Sequence, residues 1–133
     1  KYTVKSFCDV KKDKVNKLLA IDYNHPEKID LFEKELPKIF PELYIIKSTP
    51  YFLEFSNKEA SKYCAVRFLQ KYWGIDEAET LTIGDQNNDI ALLKAGGVKV
   101  AMGNATEELK SVANYITDTV FNDGFVKAMD KFV

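Results

Sequence analysis

Histidine occurs once and cysteine twice in these 133 residues. His25, Cys8 and Cys64 show no CxxC or Cys/His spacing, which excludes a zinc set. No disulfide framework is needed either, because a chain of this length buries roughly two thirds of the surface its unfolded form exposes. So few thiols, and a first segment unlike a secretory leader, point to a reducing, cytoplasmic setting. No charge of one sign dominates: 19 Lys plus Arg stand against 20 Asp plus Glu, a formal net of -1. The concentrated basic surface that nucleic acid or anionic lipid rewards is missing, so any phosphate recognition must be local. No apolar run approaches the roughly 20 residues of a membrane span. With 46% hydrophobic and 13% aromatic residues, the composition is that of one ordinary domain or two small lobes.

The pattern along the chain changes once. Residues 1–14 are charged and weakly alternating, and residues 15–22 read as a short apolar strand ending in turn-prone Asp22-Tyr23-Asn24. Pro26 suits a first helical turn, and Ile29, Phe32, Leu36 and Ile39 give one apolar face until Pro37 disturbs and Pro41 stops it. Residues 43–47 and 51–55 are two β-rich runs around Ser48-Thr49-Pro50, a hairpin signal with Glu54 turned outward. After a boundary near 56–59, a helix with Ala65, Phe68, Leu69 and Tyr72 on one face runs to Gly74; Tyr72 and Trp73 read as core packing. Strands at 80–83, 98–102 and 115–117 then alternate with helices at 87–95, 106–112 and 124–132. Such alternation implies a parallel sheet with helices on its faces, because parallel neighbours need a crossover.

The strongest chemical signal is Gly84-Asp85-Gln86-Asn87-Asn88-Asp89 directly after an apolar strand, since open parallel sheets place ligands beyond the carboxyl ends of their strands. Asp85 and Asp89, four apart, can face one point, with Gly84 permitting a sharp strand exit. Two hard oxygen donors suit Mg²⁺, which keeps several waters and shares its shell with substrate phosphate. The same residues also read as ordinary helix caps. Lys62 opens a helix, where a cation opposes the helix dipole; it reads either as an anion-neutralising group or as a solvated surface lysine. Asn104 with Glu107 forms a cap pair and Asn122-Asp123-Gly124 another turn, both on the edge that carries Asp85. His25 reads as a helix-entry residue.

Taken in order, Lys62, the GDQNND segment at 84–89, GGVKVAMGNA at 96–105 and NDG at 122–124 resemble the carboxyl half of haloacid dehalogenase-like (HAD) hydrolases, Cof-type branch. The resemblance implies an α/β fold: residues 58–133 as half of a Rossmann-like HAD core with parallel strands, and residues 1–57 as part of an α+β (C2-type) cap. It implies a Mg²⁺-dependent phosphatase acting on a small phosphorylated metabolite through a phosphoaspartate. Lys62 matches the lysine that holds nucleophile and phosphoryl group, Asp85 the metal-binding acid, and Asp89 the second acid of the metal site; Asn88 helps position the phosphate.

One departure stands out. The family's nucleophile and general acid come from a D-x-D motif, and no two aspartates here lie two apart. The expectation is therefore a chain lying within a longer parent, catalytically incomplete alone and self-associating along an uncovered edge. A non-catalytic metal- or partner-binding module and a sugar phosphomutase fragment are the competing readings. Only a phosphoryl-transfer enzyme needs Lys62 in one pocket with Asp85 and Asp89.

Overall fold

The computed structural model describes residues 15–133. The expectations for residues 1–14, Cys8 included, lie outside the described residues. The chain builds two three-stranded sheets, one antiparallel and one parallel.

The antiparallel sheet has the order β1 (Lys17–Ile21), β3 (Phe52–Asn57), β2 (Leu43–Thr49), with α1 (Pro26–Ile39) packed on one face. Asp22 sets the entry to α1: its Oδ1 accepts the amide N–H of Asn24 and of His25, each at 3.0 Å, and Pro26 follows as the first helical residue. Ile29, Ile45 and Leu53 form the buried core here, with Leu36, Leu43 and Phe55 packed against it. Two members of the expected helix face, Phe32 and Ile39, are exposed instead. The helix's apolar contact with the sheet core is made by Ile29 and Leu36. Pro37 lies inside the helix without ending it, because loss of one N–H near the last turn removes a single backbone bond.

Pairing fixes what the opposite face carries. Lys17, Ser56 and Tyr44 lie in one row across the three strands, and Leu19, Glu54 and Ile46 in the next. Directly paired residues share a face, so this row set points away from α1.

The parallel sheet has the order β4 (Leu81–Gly84), β5 (Val98–Ala101), β6 (Tyr115–Ile116). Helices α3 (Ile90–Leu93) and α4 (Glu107–Val112) supply its crossovers, and α2 (Lys62–Trp73) and α5 (Gly124–Phe132) flank it in sequence. Its core is Leu93, Ala101, Met102, Ala105 and Leu109, packed by Ile83, Ile90, Val112 and Ala113. Helix α2 is capped by the Ser61 hydroxyl, which accepts the Cys64 amide at 3.2 Å, and stops at Gly74 with φ +68°. Buried Gln70 ties it to the sheet, donating through Nε2 to Thr80 Oγ1 and Ala95 O at 2.8 Å each. The expected apolar face of α2 is not buried: Phe68, Tyr72 and Trp73 are 66%, 72% and 62% exposed. Phe68 stacks on Tyr72 and Tyr72 meets Trp73 edge-on; Trp73 lines a cleft with Leu81, Thr82 and Ile83 of β4, and nothing among the described residues covers the three rings. Among the described residues no helix is long and apolar enough to cross a membrane.

Candidate active site

Strand β4 ends at Gly84, and Asp85 is the first residue beyond it. Gly84 has no positive φ, so the expected need for a sharp exit is not what selects glycine. Space selects it. A Cβ there would stand 2.5 Å from Asp89 Cβ and 2.9 Å from Asp89 Oδ2, and the missing side chain lets Asp89 fold back under the loop.

A 3₁₀ turn, Asn87–Asp89, swings that carboxylate inward until Asp89 is 7% exposed. Its Oδ2 accepts the amides of Asp85 at 3.2 Å and Gln86 at 3.4 Å, and its Oδ1 accepts Lys62 Nζ. A buried carboxylate is costly unless paired and hydrogen-bonded; the ammonium and two amides provide both. The unfavourable place of Lys62 at the start of α2, whose first turn holds no acid, is thereby explained: its counter-charge arrives from the 3₁₀ turn after β4. The Lys62 side chain remains about half exposed and lines a cleft together with Asn88.

Asp85 is half-buried. Its carbonyl accepts the Thr106 amide at 3.1 Å, and among the described residues no hydrogen bond reaches its carboxylate. The loop after β5 braces it further, since the Thr106 hydroxyl donates to Asn87 Oδ1. Thr106 is also the true cap of α4, accepting the Leu109 amide at 3.3 Å. The expected cap, Asn104, instead accepts the Val120 amide at 2.9 Å. Thr106 followed by two acids was the readable signal for that cap.

The fold thus pairs Lys62 with Asp89, holds the Asp85 backbone on the same carboxylate, and sets Asn88 beside Lys62. Sequence reasoning missed the opposite wall of the cleft, which Tyr44, Glu54, Ser56 and Lys17 supply. No motif marks them, because three separate strands bring them together. Tyr51 and Phe52 pack with Tyr23 at ring separations of 5.3 and 5.9 Å, and His25 sits 3.3 Å from Asp22; none of these lines the cleft.

Burial, then the charges of Asp89, Cys64 and Glu54, push the Tyr44 hydroxyl above its ordinary pKa. Burial opposes ionisation of Glu54. Hydrogen bonds from Lys17 and Ser48 and the charges of Lys17 and Lys62 outweigh it, so the carboxyl lies below its usual range. The two walls therefore sense one another electrostatically.

Among the described residues His, Cys, Asp and Glu nowhere gather in a cluster of three or more, so no closed metal cage exists. Mg²⁺ does not require one; one or two carboxylates with water and substrate phosphate suffice. Asp85, with its uncommitted carboxylate, fits one position of such a shell. Asp89, both of whose oxygens are engaged, fits a supporting place behind it.

The family profile described as haloacid dehalogenase-like hydrolase matches residues 1–129. The chain belongs to this family. A protein of Streptococcus pyogenes serotype M6 is 40% identical over 118 residues, covering 88% of this chain and 43% of its own length. The 5-amino-6-(5-phospho-D-ribitylamino)uracil phosphatase of Bacillus subtilis is 38% identical over 92 residues, 69% of this chain and 37% of its own. Among solved structures, a haloacid dehalogenase-like hydrolase from B. subtilis superposes with TM-score 0.86 at 30% identity, covering 98% of this chain and 46% of that one. The HAD-like chain accordingly spans less than half the length of these relatives. The mixed α/β architecture with a parallel sheet matches its structural neighbours.

Proposed function

We propose that this HAD-like chain supplies the lysine, the acidic metal loop and part of the substrate cover of a Mg²⁺-dependent phosphatase for a small phosphomonoester, such as a sugar phosphate. Residues 1–57 are the cap part and residues 58–133 the second half of the catalytic core. The observation that carries this reading is Lys62 held on Asp89 at the carboxyl edge of the parallel sheet. A module that merely bound a partner would have no use for a cation there.

Phosphoryl transfer depends on positioning and on cancelling oxygen charge. Lys62 and Asn88 hold the phosphoryl oxygens, Asp89 fixes the Lys62 ammonium and the Asp85 loop, and Asp85 holds the metal. Bound Mg²⁺ would supply further charge neutralisation at the phosphate. An aspartate carboxylate bonds to phosphorus as the P–O bond to the alcohol breaks, the alkoxide taking its proton from the general acid of the family's D-x-D motif; water, giving a proton back to that acid, then hydrolyses the acyl phosphate to inorganic phosphate and the free carboxylate. No two aspartates in the 133 residues form D-x-D, so the nucleophile comes from outside them. A reducing, cytoplasmic setting suits the enzyme, whose Cys64 is in no disulfide among the described residues. Relatives named for different substrates, a ribitylamino-uracil phosphate and phosphoglycolate, support phosphomonoester chemistry without choosing the substrate.

The test is a chimera in which residues 15–133 replace the corresponding segment of the B. subtilis ribitylamino-uracil phosphatase. Mg²⁺-dependent phosphate release is expected, falling about 100-fold or more in Lys62→Ala or Asp85→Ala. A folded chimera with no turnover, or full turnover in Lys62→Ala, would sink the reading.

A further inference from the structure

We infer that Thr106 is a positioning residue for Asp85: its amide and its hydroxyl clamp the segment from Asp85 to Asn87 and so set the aim of the Asp85 carboxylate. This rests on the phosphatase reading, in which that carboxylate holds Mg²⁺.

With no hydrogen bond to its carboxylate among the described residues, Asp85 is aimed by its backbone. That backbone is held on both sides. Its amide donates to Asp89 Oδ2 at 3.2 Å, and its carbonyl accepts the Thr106 amide at 3.1 Å. The first contact comes from within the acid loop and moves with it. The second comes from the loop after β5, a separate part of the sheet. Thr106 adds a further grip two residues along, where its hydroxyl donates to Oδ1 of Asn87, the first residue of the 3₁₀ turn that carries Asn88 and Asp89.

The donor and acceptor count fixes how that hydroxyl points. A threonine hydroxyl has one proton to give and two lone pairs. One lone pair takes the Leu109 amide at 3.3 Å, and the proton goes to Asn87. Leu109 is fully buried in the core of the parallel sheet, and the β-branch of Thr106 restricts its χ1, so the clamp is anchored to packed structure. A helix cap needs the Leu109 contact alone. Asn87 is exposed, so its bond to Thr106 satisfies no buried group; what it adds is a hold on the acid loop. Partners that orient a metal ligand commonly change metal affinity by about 10–100-fold when they are removed.

The experiment is NMR of the full chain with two readouts, backbone order parameters without metal and a Mg²⁺ titration followed at the Asp85 amide. Thr106→Val loses both hydroxyl contacts, Asn87→Ala loses only the grip on the loop, and Thr106→Ser keeps both. In Thr106→Val and in Asn87→Ala the order parameters of Asp85 and Gln86 are expected to fall from about 0.85 toward about 0.6. The Mg²⁺ dissociation constant should rise about tenfold in those two variants and stay within about twofold of the parent in Thr106→Ser. A role confined to capping would loosen Leu109 in Thr106→Val and leave Asn87→Ala like the parent. That pattern, or a Mg²⁺ affinity unchanged in both variants, overturns the inference. Loosening of Asp85 and Gln86 in both variants, with no Mg²⁺ response in the parent chain, would uphold the clamp while removing the phosphatase reading.

Discussion

The two sheets have three strands each, yet they treat their faces differently. In the parallel sheet the middle strand β5 carries Val100 and Ala101 at 0% exposure, because each crossover lays a helix across the strands it connects. In the antiparallel sheet the middle strand β3 buries Leu53 completely against α1, while every residue of the outer strand β1 is exposed. A hairpin needs no helix to return, so one face stays free. The lesson is a difference in what each sheet presents: the covered one carries the Asp85 and Asp89 loop at its carboxyl edge, and the uncovered one turns Lys17, Tyr44 and Glu54 to the cleft that Lys62 lines.

The largest test of this contrast truncates a buried side chain in each lobe. Leu93→Ala and Leu53→Ala, both at 0% exposure, are each expected to cost about 2–5 kcal/mol in urea unfolding, through lost transfer energy plus a cavity. Losses below about 1 kcal/mol would show that the sites can collapse and that neither sheet has a tight core.

Gly84→Ala should follow in size, at about 1–3 kcal/mol, because its Cβ would overlap Asp89 Cβ. Its distinctive readout is local: NMR signals of Lys62 and Asp89 should move more than those of Leu53. Equal shifts in both lobes would mean that Gly84 matters to general packing rather than to the acid loop.

A smaller effect concerns pH. Asp118, on the loop after β6, is held down to about 2, first by the hydrogen bond from Lys127, then by those from Thr119 and Asn122. A lowered carboxyl pKa contributes stability above its unfolded value and loses it as pH falls through the folded one. In Lys127→Met the Asp118 midpoint should rise toward about 4. The stability difference from the parent should be present at neutral pH and fade between about 4 and about 2. A difference that persists unchanged at the acid end would assign it to lost packing of the Lys127 stem.

The smallest expected change is Leu19→Ser on β1, within about 0.5 kcal/mol, because Leu19 is already 46% exposed. A cost above about 2 kcal/mol would mean that β1 is covered in solution, against the contrast drawn between the sheets.

Lys62, Asp85, Asn88 and Asp89 were singled out through their order along the chain and the family resemblance that order carries, and the parallel sheet through alternation alone, a local signal. The helix at 106–112 was legible too, although its cap was misread by two residues: Asn104 and Thr106 are both good caps, and only the path of the loop decides between them. Phe68, Tyr72 and Trp73 misled for a different reason. Helical periodicity reports that a face is apolar, and it is silent on whether a partner is present to cover it.

The amino-acid sequence by itself determined the strand and helix pattern, the acidic loop after β4 and the candidate lysine, since these depend on neighbours a few residues apart. Tertiary structure alone decided that Lys62 meets Asp89 across 27 residues, that Gly84 exists to make room for a carboxylate, and that Lys17, Tyr44 and Glu54 face the same cleft. Those choices depend on strand register and on close approach between separate elements, where a shift of one residue turns every side chain to the other face.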